Sequence, residues 1–154
     1  MADQPQRVVF DTNVYIAGLL WRGKPYYCLL MAEEGAVKLV YCTQMAGELT
    51  TKLREKFKFT EDRIHAIAYE LNRIAEKVEI TGNLHAVEKD PDDDKFIECA
   101  LVGKASVIVS EDHHLTDLEE YKGIEILTSK EFLDRFSKSL SLNSIKVTVT
   151  AHKA

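Results

Sequence analysis

Two kinds of hydrophobic pattern alternate along the chain: short unbroken apolar runs, and longer stretches in which apolar residues recur at helical spacing. Val8, Val9 and Phe10 make one such run, and Val107, Ile108 and Val109 make another. Runs of this kind read as strands buried on both faces, inside a parallel sheet rather than a half-solvated hairpin. Residues 37–41, 77–80 and 124–127 predict three further strands, the second closed by Thr81-Gly82-Asn83. Helices are predicted over 14–20 and 25–34, with Pro25 in a first turn and Gly35 as a stop. Thr43 is read as the cap of a helix through Glu48, Leu49 and Leu53 toward Phe57, and Thr60 opens another that ends near Ala75. Asp90 as N-cap and Pro91 at the first position begin a helix whose apolar face is Phe96, Ile97, Ala100 and Leu101, stopping at Gly103. Ser129 is read as the cap of a last helix to about Phe136. Strands separated by helices throughout predict a three-layer α/β/α domain with a central, mainly parallel sheet.

The 154 residues and their 45% hydrophobic content fit one such domain, taken here as residues 1–138. Residues 139–154 form a tail in which Ile145, Val147 and Val149 alternate with Lys146, Thr148 and Thr150, the pattern of an edge strand. No apolar run approaches the ~18 residues that a membrane span needs, and the polar N-terminus has no signal-peptide core, so a cytoplasmic protein is expected. Cys28, Cys42 and Cys99 lack metal or redox spacing and read as reduced core residues. A formal charge of −5 speaks against a general nucleic-acid coat, but not against an enzyme with its acids in one pocket and cations at the rim.

The chemistry is carried by acids. Asp11 ends the first apolar run and is followed by Thr12 and Asn13; Asp112 comes just after the fourth, behind Ser110 and Glu111. In open α/β sheets ligands bind in the crevice outside the carboxyl ends of the strands, where both acids fall. Each is equally a plausible helix cap. In the run Asp90-Pro91-Asp92-Asp93-Asp94, a cap and a favourable dipole account for one or two acids and not for four. Helical phase, at ~100° per residue, puts Asp93 on the apolar line, Asp94 at its edge and Asp92 further away. Glu48 reads as either a surface residue or a fourth acid.

These segments together resemble the PIN-domain family of metal-dependent ribonucleases, in particular the VapC-like toxins of prokaryotic toxin–antitoxin pairs. The resemblance rests on Val-Phe-Asp-Thr-Asn at 9–13, Glu48-Leu49, Asp90-Pro91-Asp92-Asp93-Asp94-Lys95-Phe96, and the stretch Val107 to Leu115 that contains Ser110-Glu111-Asp112-His113-His114. It implies an acidic quartet at Asp11, Glu48, Asp93 and Asp112, supported by Asn13 and Ser110. Family members carry Asn where this chain has Asp94, so Asp94 is a second candidate beside Asp93, and the helical phase selects Asp93. The resemblance further implies a Mg2+ or Mn2+ cofactor, an RNA substrate, a small antitoxin partner and a homodimer. All-oxygen donors select hard ions, which polarise a phosphodiester, activate water and stabilise the leaving oxygen. Asp11 and Asp93 are expected as principal ligands, with Asp112 completing the site and Glu48 binding a second ion or orienting the attacking water.

Other residues have two readings each. His113 and His114 are read as surface or capping residues, since adjacent histidines without further ligands seldom form a zinc site. Lys52, Arg54, Lys56 and Lys58 suit a helix C-terminus or a phosphate-positioning rim, and Arg22 and Lys24 the same. Trp21, Tyr26 and Tyr27 suit packing or base stacking. A catalytically weak RNA-binding or scaffolding module is the alternative function. A haloacid-dehalogenase-like phosphatase would need an acid where Asn13 stands, and a receiver domain would need a phosphoacceptor-and-lysine arrangement that the chain lacks.

Overall fold

The computed structural model describes residues 4–137. The alternating segment around Val147, and with it the division into a domain and a tail, lies outside the described residues. In chain order the elements are β1 (Gln6–Phe10), α1 (Thr12–Leu20), α2 (Gly23–Glu33), β2 (Val37–Cys42), α3 (Thr43–Glu55), α4 (Glu61–Ile74) and β3 (Ala75–Val78). A 3-10 turn (Pro91–Asp93) then leads into α5 (Asp94–Val102), β4 (Val107–Val109), α6 (His113–Thr116), β5 (Glu120–Tyr121), β6 (Ile124–Leu127) and α7 (Ser129–Phe136). No helix among the described residues is long and apolar enough to cross a membrane.

The strands form one six-stranded sheet in the order β3-β2-β1-β4-β6-β5, parallel except for β5. The chain winds outward from β1 through β2 to β3 and returns to the other side of β1 as β4. The crevice between the carboxyl ends of β1 and β4 is therefore the topological switch point, the usual ligand position in such sheets. Val8, Val9 and Phe10 are fully buried, as the unbroken run predicts.

Strand register assigns the layers. Phe10 contacts the rings of Tyr15 and Phe132, which puts α1 and α7 on its face. Val8 pairs with Leu39, so Val9 and Val40 point to the opposite face. There the end of α5 presses on the sheet, and a Cβ added at Gly103 would overlap Val40 Cγ1. Arg7 projects on this same face, donating from Nε to the Gly103 carbonyl at 2.7 Å and pairing with Glu76 at 2.5 Å. Helices thus cover both faces in the three-layer α/β/α arrangement.

Several local expectations are corrected. Cys42, not Thr43, occupies the position before α3. Thr128, not Ser129, caps α7, because Thr128 and Glu131 form a reciprocal capping box that leaves Ser129 as the first buried residue of the helix. The third strand begins at Ala75, two residues earlier than predicted: α4 passes into β3 with no intervening turn, and Ala75 is both C-cap and first strand residue. The short elements α6 and β5 have too few residues to show a period.

Between β3 and α5 the chain is fastened to α5 by two carboxylates. Buried Glu98 accepts from Thr81 N at 2.7 Å, Thr81 Oγ1 at 2.7 Å and Gly82 N at 2.9 Å. Asp94 Oδ1 accepts from Ala86 N at 2.8 Å and Val87 N at 2.7 Å. The seat of α5 on the sheet is testable. Gly103→Ala forces a methyl against Val40 and is expected to cost about 1–3 kcal/mol in denaturant unfolding, with part of the loss recovered when Val40→Ala is added.

Candidate metal centre

The register of β1 against β4 brings the first and last acids together. Asp11 N donates to Val109 O at 2.9 Å, extending the ladder by one residue, and Ser110 follows directly on the neighbouring strand. Asp11 is buried, and both its oxygens are used: Oδ1 accepts from Asn13 N at 3.0 Å as the cap of α1, and Oδ2 accepts from Ser110 Oγ at 2.8 Å. Ser110 Oγ in turn accepts from Asp112 N at 3.0 Å, so one hydroxyl positions both acids. Asp112 caps α6, its Oδ1 accepting from His114 N at 2.9 Å.

Asp93 enters from the third direction, at the junction of the 3-10 turn and α5, and is 7% exposed. Its Oδ2 is buried without a hydrogen-bond partner. Burial pushes its carboxyl up to about 8, and contact with Asp112 together with the charges of Asp90, Asp112 and Asp11 acts in the same direction. Asp11 is also raised, chiefly by burial, against the hydrogen bonds from Asn13 and Ser110 and with help from Glu48 and Asp112. Asp94 faces elsewhere, holding the 86–87 backbone as described, while Asp92 is exposed.

Glu48, half-buried on α3, is held by two lysines. Lys95 Nζ lies 2.5 Å from Oε2, and Lys52 Nζ lies 3.3 Å from Oε1 and donates to Asn13 Oδ1 at 3.4 Å. Burial opposes the charge of Glu48, but the two ammonium groups prevail and hold its carboxyl below the usual range. Lys95 also donates to the Asp92 carbonyl. Sequence spacing alone does not mark the pair as a clamp on Glu48, although Lys52 lies one helical turn from it.

Two further residues join the acids. Donor atoms of Asp90, Asp93, Asp112 and His114 all lie within 4.8 Å of one another. The sequence pattern marks Asp90 as a cap, which it is, accepting from Asp92 N at 3.3 Å. Its spacing of three from Asp93 across a 3-10 turn, where such residues eclipse, was the available signal. His113 is exposed, whereas His114 turns inward.

A divalent cation fits this set. Several carboxylates in close quarters tolerate burial only by protonation or by a cation among them, and Asp93, which belongs to the cluster, has an orphaned acceptor in Oδ2. A mainly apolar cavity of about 420 Å³, lined by Tyr15, Leu19, Leu29, Leu49, Ile67 and Leu71 together with Glu33 and Glu70, touches none of Asp11, Glu48, Asp93 and Asp112.

Taken together, the fold and site define an α/β/α domain with carboxylates at the switch point of a parallel sheet. The family model of the PIN domain matches residues 7–114, and the chain belongs to that nuclease family. It is similar to uncharacterized protein MJ1680 of Methanocaldococcus jannaschii, with 30% identity over 148 residues, covering 88% of this chain and 94% of the relative. Its fold is similar to a chain in the crystal structure of VapBC2 from Rickettsia felis bound to a DNA fragment from their promoter. That match has a TM-score of 0.54 at 11% identity, covering 79% of this chain and 98% of the other.

The raised carboxyl of Asp93 sets a pH dependence. Its folded value of about 8 lies above the ordinary 3.8, so between these limits the folded chain holds a proton that the unfolded chain releases. Its stabilising contribution is complete below about 3.8 and is lost as pH rises through about 8. Metal-free protein in EDTA is expected to show this falling stability in thermal unfolding followed across that window, and Asp93→Asn is expected to flatten the slope.

Proposed function

We propose that this chain is a divalent-metal-dependent endoribonuclease, using Mg2+ or Mn2+, and the toxin member of a toxin–antitoxin pair. The observation that carries the reading is the buried, unpartnered Asp93 Oδ2 beside Asp112 and Asp11, a set of oxygens that needs a cation to be ionised together. Asp11, Asp93 and Asp112 are the residues that would hold the ion. When bound, it polarises the scissile phosphate and compensates the charge that develops on the leaving oxygen.

The chain's own residues do the rest. Ser110 and the Asn13 N–H fix the direction of the Asp11 carboxylate. Glu48, kept ionised by Lys95 and Lys52, is suited to accept a hydrogen bond from the attacking water and orient it toward phosphorus. Lys52, with Lys56 and Lys58 beyond it, supplies positive charge for phosphates flanking the cut, so an acidic protein can still bind a polyanion locally.

A small antitoxin as silencing partner is in keeping with the family and with the VapBC2 crystal structure whose chain shares this fold. A homodimer acting in the cytoplasm completes the reading. The exposed Trp21, which meets Phe57 edge-on, and the exposed Tyr69 are apolar surface available to such partners.

The test is cleavage of an end-labelled RNA pool with Mg2+, Mn2+ or EDTA. Wild type is expected to make internal cuts that EDTA abolishes, and Asp93→Asn to lose about 10²-fold or more in rate, the scale seen when one charge-stabilising group is removed. Asp94→Asn is expected to retain most activity, because an amide oxygen can still accept from Ala86 and Val87. An identical metal-independent background in all three proteins would overturn the nuclease reading in favour of an RNA-binding module without turnover.

A further inference from the structure

Beyond the acids that the family pattern supplies, one nitrogen is aimed into the cluster. His114 Nδ1 is buried, has no hydrogen-bond partner, and lies 3.6 Å from Asp112 Oδ1 and 3.8 Å from Asp90 Oδ2. Those separations are too long for hydrogen bonds and short enough for donors sharing one ion. Asp93, more than nine-tenths buried, contributes the second unpartnered atom. The imidazole is held in this position through its own backbone, since His114 N is tied to Asp112 Oδ1 at 2.9 Å, and its ring packs on His113 at 4.4 Å between centroids.

The geometry points to a mixed nitrogen and oxygen metal site in which His114 Nδ1 and Asp90 join Asp93 and Asp112, and which selects a first-row transition ion such as Mn2+ over Mg2+. This inference rests on the metal-dependent reading above and specifies the ion. Mg2+ prefers an all-oxygen octahedron and keeps much of its water, whereas imidazole is a good donor to Mn2+ and the later divalent ions. With Asp90 as an additional carboxylate, the cluster presents three acids and one imidazole within 4.8 Å. Asp11 stands beside it, each of its oxygens keeping a lone pair for the ion after accepting from Asn13 and Ser110. Asp90 caps the 3-10 turn and His114 lies on α6, so the ion would tie these two segments together.

Mn2+ is the probe, added to the full chain stripped of metal, with binding followed by electron paramagnetic resonance and nitrogen coupling read from the electron spin echo. Wild type is expected to bind Mn2+ at least about tenfold more tightly than Mg2+ and to show imidazole nitrogen coupling. His114→Ala and the closer mimic His114→Gln are each expected to lose that coupling and about tenfold or more in Mn2+ affinity, while Mg2+ affinity measured by competition changes little. His113→Ala is expected to behave as wild type. Nitrogen coupling that is absent from wild type, or Mn2+ affinity unchanged by both His114 substitutions, overturns the proposal. Asp93→Asn separates this from failure of the wider reading. If Asp93→Asn abolishes Mn2+ binding and His114→Ala does not, the acidic centre stands without the histidine; if neither changes it, metal dependence at this centre falls as well.

Discussion

Repulsion between buried carboxylates is the constraint on which this end of the sheet depends. Asp11, Asp93 and Asp112 are brought together by strand register and by the seat of α5, and nothing in their own chemistry favours the meeting. Part of the cost is met by giving each of three acids a second task. Asp11, Asp90 and Asp112 each accept a backbone N–H from two residues ahead, at Asn13, Asp92 and His114. One oxygen thereby fixes the carboxylate against its own turn. Asp93 makes no such cap bond, and burial raises its carboxyl to about 8.

Capping and site chemistry therefore do not compete at these positions, although from the chain alone they stand as rival explanations of the same residues. A carboxylate has enough lone pairs for both. The cap orients it, and what remains points into the centre. Glu48 follows another route: it sits in mid-helix with no N–H to accept, and its charge is sustained by Lys95 and Lys52 instead.

The sheet was legible because burial on both faces leaves an unmistakable trace, as in Val8-Val9-Phe10 and Val107-Ile108-Val109. The burial of Asp93 was legible for a related reason, since helical phase ties it to Phe96, Ile97 and Ala100. What stayed hidden depends on contacts between distant segments. Nothing near His114 reveals that Asp90 approaches it, and nothing near Glu48 reveals that Lys95 reaches across from α5. Local errors were of a different kind. Thr128 displaced Ser129 as a cap because the partner at Glu131 decides between adjacent hydroxyls, and Ala75 began a strand early because a helix can unwind straight into a ladder without a turn residue.

Asp94 and Glu98 are one helical turn apart, and each grips a different part of the chain that precedes α5. The segment from Thr81 to Val87 is thus laced to the same helix along its length, Leu84 also bonding the Glu98 carboxylate through its backbone, while the side chains of Asn83 and His85 stay exposed. A chain anchored in this way can change its exposed side chains without transmitting the alteration to the residues beyond. The exposed side chains of Asn83 and His85 are therefore where this domain can vary its outer contour while the floor of the cleft stays in place.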